Sequence, residues 1–206
     1  MRTALHRIAA GALAYVVSYV LIGLATVPRL GRYLVRASDD AVTVLDVYRS
    51  AGSPLWQAVG WFTLNAHGVP IDIAAVRDTG NFVSDGAMWL GILPGWLGLV
   101  PLVACLLVGV TVTATNRSSP VPMGVGAYMV PGYLVALLLS TVVFAGGVGP
   151  VTASARVLLP GSYPGGRWLL LVVLAPLVFG SLGASLGQSP VLTATVERLR
   201  SDLSLR

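Results

Sequence analysis

The sequence contains no lysine. All 13 basic residues are arginines, set against eight Asp and Glu, so that only 10% of its 206 residues are charged. A water-soluble domain typically carries about a quarter charged residues, and so few charges exclude an ordinary soluble fold. Cysteine is nearly missing as well: with Cys105 alone, no intrachain disulfide can form, and a buried structural thiol is the ordinary reading of such a residue. Histidine is limited to His6 and His67, and neither an H-E-x-x-H nor a G-x-S-x-G pattern occurs. The common zinc-peptidase and serine-hydrolase chemistries are thereby set aside. The lack of lysine itself reads as a compositional habit, not as a site.

What fills the space is apolar: 55% of the residues are hydrophobic, and the mean hydropathy is +0.81. Four long runs, Ile8 to Val27, Gly86 to Asn116, Met123 to Ala155 and Trp168 to Val196, contain no Asp, Glu, Lys or Arg. A helix needs about 20 apolar residues to cross the hydrocarbon of a bilayer. The runs therefore predict an all-α integral membrane protein with four transmembrane helices, over about 8–27, 86–113, 124–148 and 168–188. Arg2, His6 and Arg7 precede the first run. It is longer than a secretory h-region and lacks a clear cleavage site, so an uncleaved first span is expected. The net charge of +5 and the isoelectric point near 9.9 come from arginines scattered through loops and ends. Without a basic stripe or a stacking platform, a nucleic-acid partner is not expected.

Between the first two spans, residues 28–85 form a long loop that holds six of the eight acidic residues. Short amphipathic helices are expected in it. Ser38 or Asp39 can cap one with Ala41, Val44, Leu45 and Tyr48 on a single face, and Ser53-Pro54 can start a second that Gly68 ends. The second carries Trp56, Trp61 and Phe62. Being too short to span and free of arginine, it is expected at the membrane interface or packed beneath a loop. Asn65, His67, Asp72 and Asp78 are the best remaining set for a metal, but a lone His at a helix end ordinarily serves the helix, and neither metal nor cofactor is expected. The polar turn from Asn116 to Pro122 makes spans two and three antiparallel neighbours. Residues 149–167 read as a Pro- and Gly-rich loop, and Ser189-Pro190 starts a short C-terminal helix over 189–206 with Arg198 and Asp202 four apart.

Inside the spans no Asp, Glu, Lys, Arg or His occurs, which disfavours a carboxylate-driven transporter or a charged pore ring. Pro94, Pro131 and Pro176 are expected to kink their helices, and "LPGWL" at residues 93–97 echoes "VPGYL" at residues 130–134. Paired interruptions of this kind can mark a transport site, but Pro and Gly are common in membrane helices and the ordinary reading is simple kinks. In span four, Gly180, Ser181, Gly183, Ala184, Ser185 and Gly187 recur at spacings of four, removing bulk from one broad face and permitting close helix approach. Ser18, Ser140, Thr141, Ser181 and Ser185 could line an uncharged path, or each hydroxyl could bond a carbonyl of its own helix.

The stretches "GALAYVVSYVLIGL", "WQAVGWFTLNAHGV", "VPGYLVALLL" and "APLVFGSLGASLG" together resemble a family of small four-span haloarchaeal membrane proteins of uncharacterised function, some of them labelled "transporter". The resemblance implies an archaeal multi-pass membrane protein and supplies no catalytic or binding residue. The expected function is that of a non-catalytic scaffold or accessory subunit acting through helix packing, with the bilayer and a homo-oligomer or membrane-protein partner around it. The alternative is a small pore or carrier for a neutral or weakly charged solute, and an intramembrane enzyme comes third. Arginines near the span ends are nearly balanced between the two sides. Because charges in a long loop count for less in orientation, cytoplasmic termini in a cell membrane are expected.

Overall fold

The computed structural model describes residues 2–28, 34–37, 40–43, 54–69, 71–73, 95–115, 122–144, 146–148, 151–155 and 172–190. Helix α1 is Arg2–Thr26, strands β1 and β2 are Leu34–Ala37 and Asp40–Thr43, helix α2 is Leu55–Ala66, and strand β3 is Ile71–Ile73. A 3-10 turn, Gly95–Leu99, leads into helix α3, Val100–Thr115, and helix α4 is Pro122–Val143. Strands β4 and β5, Gly146–Val148 and Val151–Ala155, precede a π-helical turn, Ala175–Phe179, which runs into helix α5, Gly180–Gly187.

Three of these helical stretches are long and apolar enough to cross a membrane: Leu5–Thr26, Trp96–Ala114 and Gly124–Val143, of 22, 19 and 20 residues. The fourth expected span is represented by a shorter apolar stretch, Val172–Gly187, and residues 168–171 of that span lie outside the described ones.

The structure is mainly helical but not all-α, and the departures share a cause. Where an apolar run ends in glycines or β-branched residues, strand pairing replaces the expected helix or loop. Span three was expected to reach residue 148, yet α4 stops at Val143 and Gly146–Val148 pairs antiparallel with β5, Gly147 opposite Thr152. Two consecutive glycines each cost a helix about 1 kcal/mol relative to alanine. The expected helix around Ala41 is instead strand β2, which pairs antiparallel with β1, Val35 opposite Val42; valine and threonine favour the pleated surface. The three-stranded sheet has the order β3-β5-β4 and sets Ile71–Ile73 against Ala153–Ala155. Pro94, the polar turn after Asn116, Asp78 and the C-terminal helix beyond Pro190 lie outside the described residues.

The chain divides into two compact units. One comprises Met1–Tyr15, Leu102–Val135 and Val172–Arg206. Its interior is Ala14, Tyr15, Ala104, Cys105, Val125, Met129, Tyr133, Val172 and Ala184, all buried. The other comprises Val16–Pro101 and Ala136–Leu171. Its core is formed around α2 by Ile22, Ala58, Trp61, Leu64, Val69, Leu97, Leu137 and Phe144.

Candidate functional site: helix-packing faces

In the first unit the helices meet through glycine. A Cβ built on Gly183 would stand 2.9 Å from the Leu106 carbonyl carbon and 3.0 Å from the Val110 nitrogen, and one on Gly109 would stand 3.1 Å from the Ala184 nitrogen. Gly109 of α3 and Gly183 of α5 thus each receive the backbone of the other helix. Only hydrogen at Cα leaves room for such an approach, which sets Cα–H groups against carbonyl oxygens across the contact. Gly187 adds a turn to the same face, where a Cβ would lie 2.6 Å from the Val110 carbonyl oxygen. On its other flank α5 meets α4: Gly180 lies against the Met129 sulfur, and a Cβ on Gly126 would stand 2.9 Å from the Pro176 carbonyl oxygen.

A second reciprocal contact joins α1 to α4. A Cβ on Gly11 would stand 2.8 Å from both the Met129 carbonyl carbon and the Tyr133 nitrogen, and one on Gly132 would stand 2.8 Å from the Ile8 carbonyl carbon. Tyr15 closes over this crossing, edge-on to the Tyr133 ring at 5.8 Å, and the Arg7 guanidinium lies 5.5 Å from the Tyr128 ring. The Tyr133 side chain in turn pairs with the buried Cys105 thiol.

Of the six residues expected on the packing face of span four, Gly180, Gly183, Ala184 and Gly187 are buried, Ser181 is half-buried and Ser185 is exposed. Their hydroxyls serve their own helix: Ser181 donates to the Leu177 carbonyl, and Ser185 donates to the Ser181 carbonyl at 3.0 Å. Ser140 and Thr141 likewise donate to Leu137 and Leu138, at 2.6 and 2.7 Å. Ser18 is buried, and its hydroxyl has no hydrogen-bond partner among the described residues. Pro176 is buried within the π-helical turn, whereas Pro131 stands exposed inside an α4 that continues past it without interruption. In "VPGYL" the glycine makes the contact and the proline does not.

In the second unit, α2 is enclosed from Gln57 to Ala66. Among the aromatic residues expected at the membrane interface, only Trp56 is exposed; Trp61 and Phe62 are covered by protein. The reason is polar as well as apolar. Trp61 Nε1 and Gln57 Nε2 both donate to the Phe144 carbonyl just beyond the end of α4, at 2.8 and 3.3 Å, and Gly60 leaves space for the Phe144 ring. His67 caps the C-terminus of α2, and Gly68, at φ 76°, turns the chain in the left-handed region that glycine tolerates. The His67 ring is buried with Nδ1 2.6 Å from the Thr63 carbonyl, so Nδ1 carries the proton; burial pushes the imidazolium pKa down to about 4, the Thr63 carbonyl opposing the shift. The Asn65 amide nitrogen donates to the Trp61 carbonyl at 3.0 Å, and its buried oxygen has no hydrogen-bond partner among the described residues. Also among the described residues, no group of three or more His, Cys, Asp or Glu is placed to hold a metal.

The glycines that sequence reasoning missed are Gly11, Gly109, Gly126 and Gly132. None has another glycine four residues away, but Thr113 follows Gly109 and Ala136 follows Gly132 at that spacing, a small-residue signal that could have pointed to these two.

A family described as a family of unknown function (DUF7978) matches residues 1–190. No curated protein and no solved structure matches the chain.

Proposed function

The chain belongs to this family of unknown function (DUF7978), and from its helix contacts we propose a four-span, non-catalytic membrane protein that acts as a scaffold or accessory subunit. The observation that carries the reading is the pair of reciprocal glycine contacts, Gly109 with Gly183 and Gly11 with Gly132, which devote the small-residue faces of the helices to one another. What the helices present outward is bulky and apolar. Leu174, Val178, Leu182 and Leu186 follow each other at intervals of four, all at least 43% exposed, opposite the buried glycines of the same stretch. Such a stripe suits acyl chains or an apolar partner helix.

Four crossings, the last comprising Val172–Gly187 and the apolar residues just before it, place both termini on one side, which we assign to the cytoplasm of a cell. The resemblance to four-span haloarchaeal proteins supports the same count and an archaeal source. The rival reading is a pore or carrier, in keeping with the transporter label. Its hydroxyl-lined path is disfavoured because the Ser140, Thr141, Ser181 and Ser185 hydroxyls bond their own helices.

Gly183→Leu separates the two readings. Forced against the α3 backbone, a leucine should lower the thermal midpoint in detergent by several degrees or prevent folding, while liposomes bearing the wild-type protein conduct neither small solutes nor common ions. Wild-type stability combined with wild-type flux that the leucine blocks would transfer the function to a solute path.

A further inference from the structure

Helix α1 is a ruler for depth. Arg7 marks the entry of its apolar run and Thr26 its end, and the axial rise of an α-helix is about 1.5 Å per residue. On that ruler Tyr19 lies about 18 Å beyond Arg7 and roughly 10 Å short of Thr26, within a hydrocarbon layer about 30 Å thick. The start of α2 sits at this depth: the Tyr19 hydroxyl donates to the Trp56 carbonyl at 2.9 Å, and one turn farther along both helices a Cβ on Gly23 would lie 3.2 Å from the Val59 side chain. The order of these contacts shows that α2 runs alongside α1 in the same direction. It does not lie across the end of α1, as an interfacial helix would. Leu55 and Trp56, at its first turn, are 48% and 49% exposed, whereas every residue from Gln57 to Ala66 is buried. No charged residue occurs from Ser50 to Ile71.

The end of α4 is at the same level, because the Phe144 ring stacks on Tyr19 at 5.6 Å and lies 5.8 Å from Trp56. A helix that ends within hydrocarbon leaves its last carbonyls without water to bond them. Gln57 and Trp61 supply donors to the Phe144 carbonyl from α2.

We propose that α2 is a re-entrant helix whose first turn, Leu55 and Trp56, is immersed in the acyl chains of the leaflet on the loop side, where Gln57 and Trp61 take the place of water at the Phe144 carbonyl that ends α4. The partner of the exposed surface of α2 is therefore lipid hydrocarbon. The inference rests on the reading of α1 as a membrane span, and the test keeps the two apart.

Spin labels are placed on cysteines introduced one at a time as Leu55→Cys, Val20→Cys and Leu13→Cys in the full-length protein in phosphatidylcholine vesicles. The wild type, with Cys105 buried, is carried through the same labelling as the blank. All three sites are exposed in the fold, so a label fits without repacking. Collisions with molecular oxygen report lipid, and collisions with a water-soluble nickel chelate report water. The expected result is a label at residue 55 that favours oxygen over nickel to nearly the extent of the label at residue 20. A residue-55 label that favours nickel, beside a residue-13 label that favours oxygen, overturns the re-entrant helix and leaves the α1 span intact. Nickel preference at residues 13, 20 and 55 together overturns the span and, with it, the proposal.

Discussion

At the scale of a residue, Phe144 concentrates several small effects in one peptide unit. Its ring is parallel to Tyr19 within 5° and tilted 47° to Trp56, and its N–H closes the last helical bond of α4 to the Ser140 carbonyl. Its carbonyl accepts from two side chains, of which Trp61 gives the shorter bond. Trp61→Phe keeps most of the apolar volume and removes that donor while Gln57 still serves the carbonyl, so it should cost about 0.5–1.5 kcal/mol, the usual net worth of one hydrogen bond. Gln57→Leu should cost less, its bond being the longer one. Thermal unfolding of both variants in one detergent checks the order; a Trp61→Phe variant as stable as wild type removes the polar part of the α2 anchor. His67 gives a pH dependence of definite sign. Its pKa falls from the ordinary 6.5 to about 4 on folding, so between those values the unfolded chain binds the extra proton. Stability is complete above pH 6.5, declines as pH falls through 6.5 towards 4, and declines no further from this group below that. His67→Gln should flatten this stretch of the stability–pH curve, measured as the denaturation midpoint from pH 4 to 7.

At the scale of an element, contacts between helices are decided by glycine more than by proline. Gly132→Ala adds one methyl group 2.8 Å from the Ile8 carbonyl carbon, backbone that can move only if α1 moves, whereas Gly124→Ala adds the same group where nothing lies within 4 Å. The first should destabilise by about 1–3 kcal/mol through overpacking. The second should be neutral or stabilise by up to about 1 kcal/mol through helix propensity. Equal midpoints for the two variants would show that the α1–α4 crossing is looser than the structure has it. This contrast also marks how far the sequence could be read. Apolar runs announce helices because lipid demands length and lack of charge, and the glycine face of α5 announces itself because its small residues repeat every four. Their partners Gly109 and Gly126 have no glycine four residues away, and nothing local tells Gly126 from an idle glycine such as Gly124. Strand β3 was hidden for a different reason: it pairs with a strand about 80 residues away, Ile73 with Ala153, and no local periodicity encodes such a partnership. The enclosure of Trp61 was hidden likewise, since it depends on Phe144, 83 residues distant.

At the scale of the whole molecule, the decisive quantity is the parity of crossings. Three helical stretches are long enough to cross, and Val172–Gly187 is a fourth of 16 residues, or about 24 Å, short of the roughly 30 Å of hydrocarbon. Immediately before it the sequence reads Trp168, Leu169, Leu170 and Leu171, which at helical rise would add about 6 Å and complete a span, with Arg167 as the first charge. Three crossings would put the termini on opposite sides of the membrane, and four put them on the same side. Cysteines introduced as Thr3→Cys and Ser204→Cys, labelled in intact cells with a membrane-impermeant maleimide, read this parity directly, because Cys105 is buried and contributes little background. Matching behaviour is expected, with both sites protected until the cells are opened if the termini are cytoplasmic. The loop over residues 28–85 should meanwhile be cut by protease from outside, at Arg29, Arg32 or Arg36, near the end of α1. Opposite labelling of the two termini would reduce the count to three and make the last helical stretch a half-crossing hairpin. Its glycine face against α3 would then close a re-entrant element and not a span.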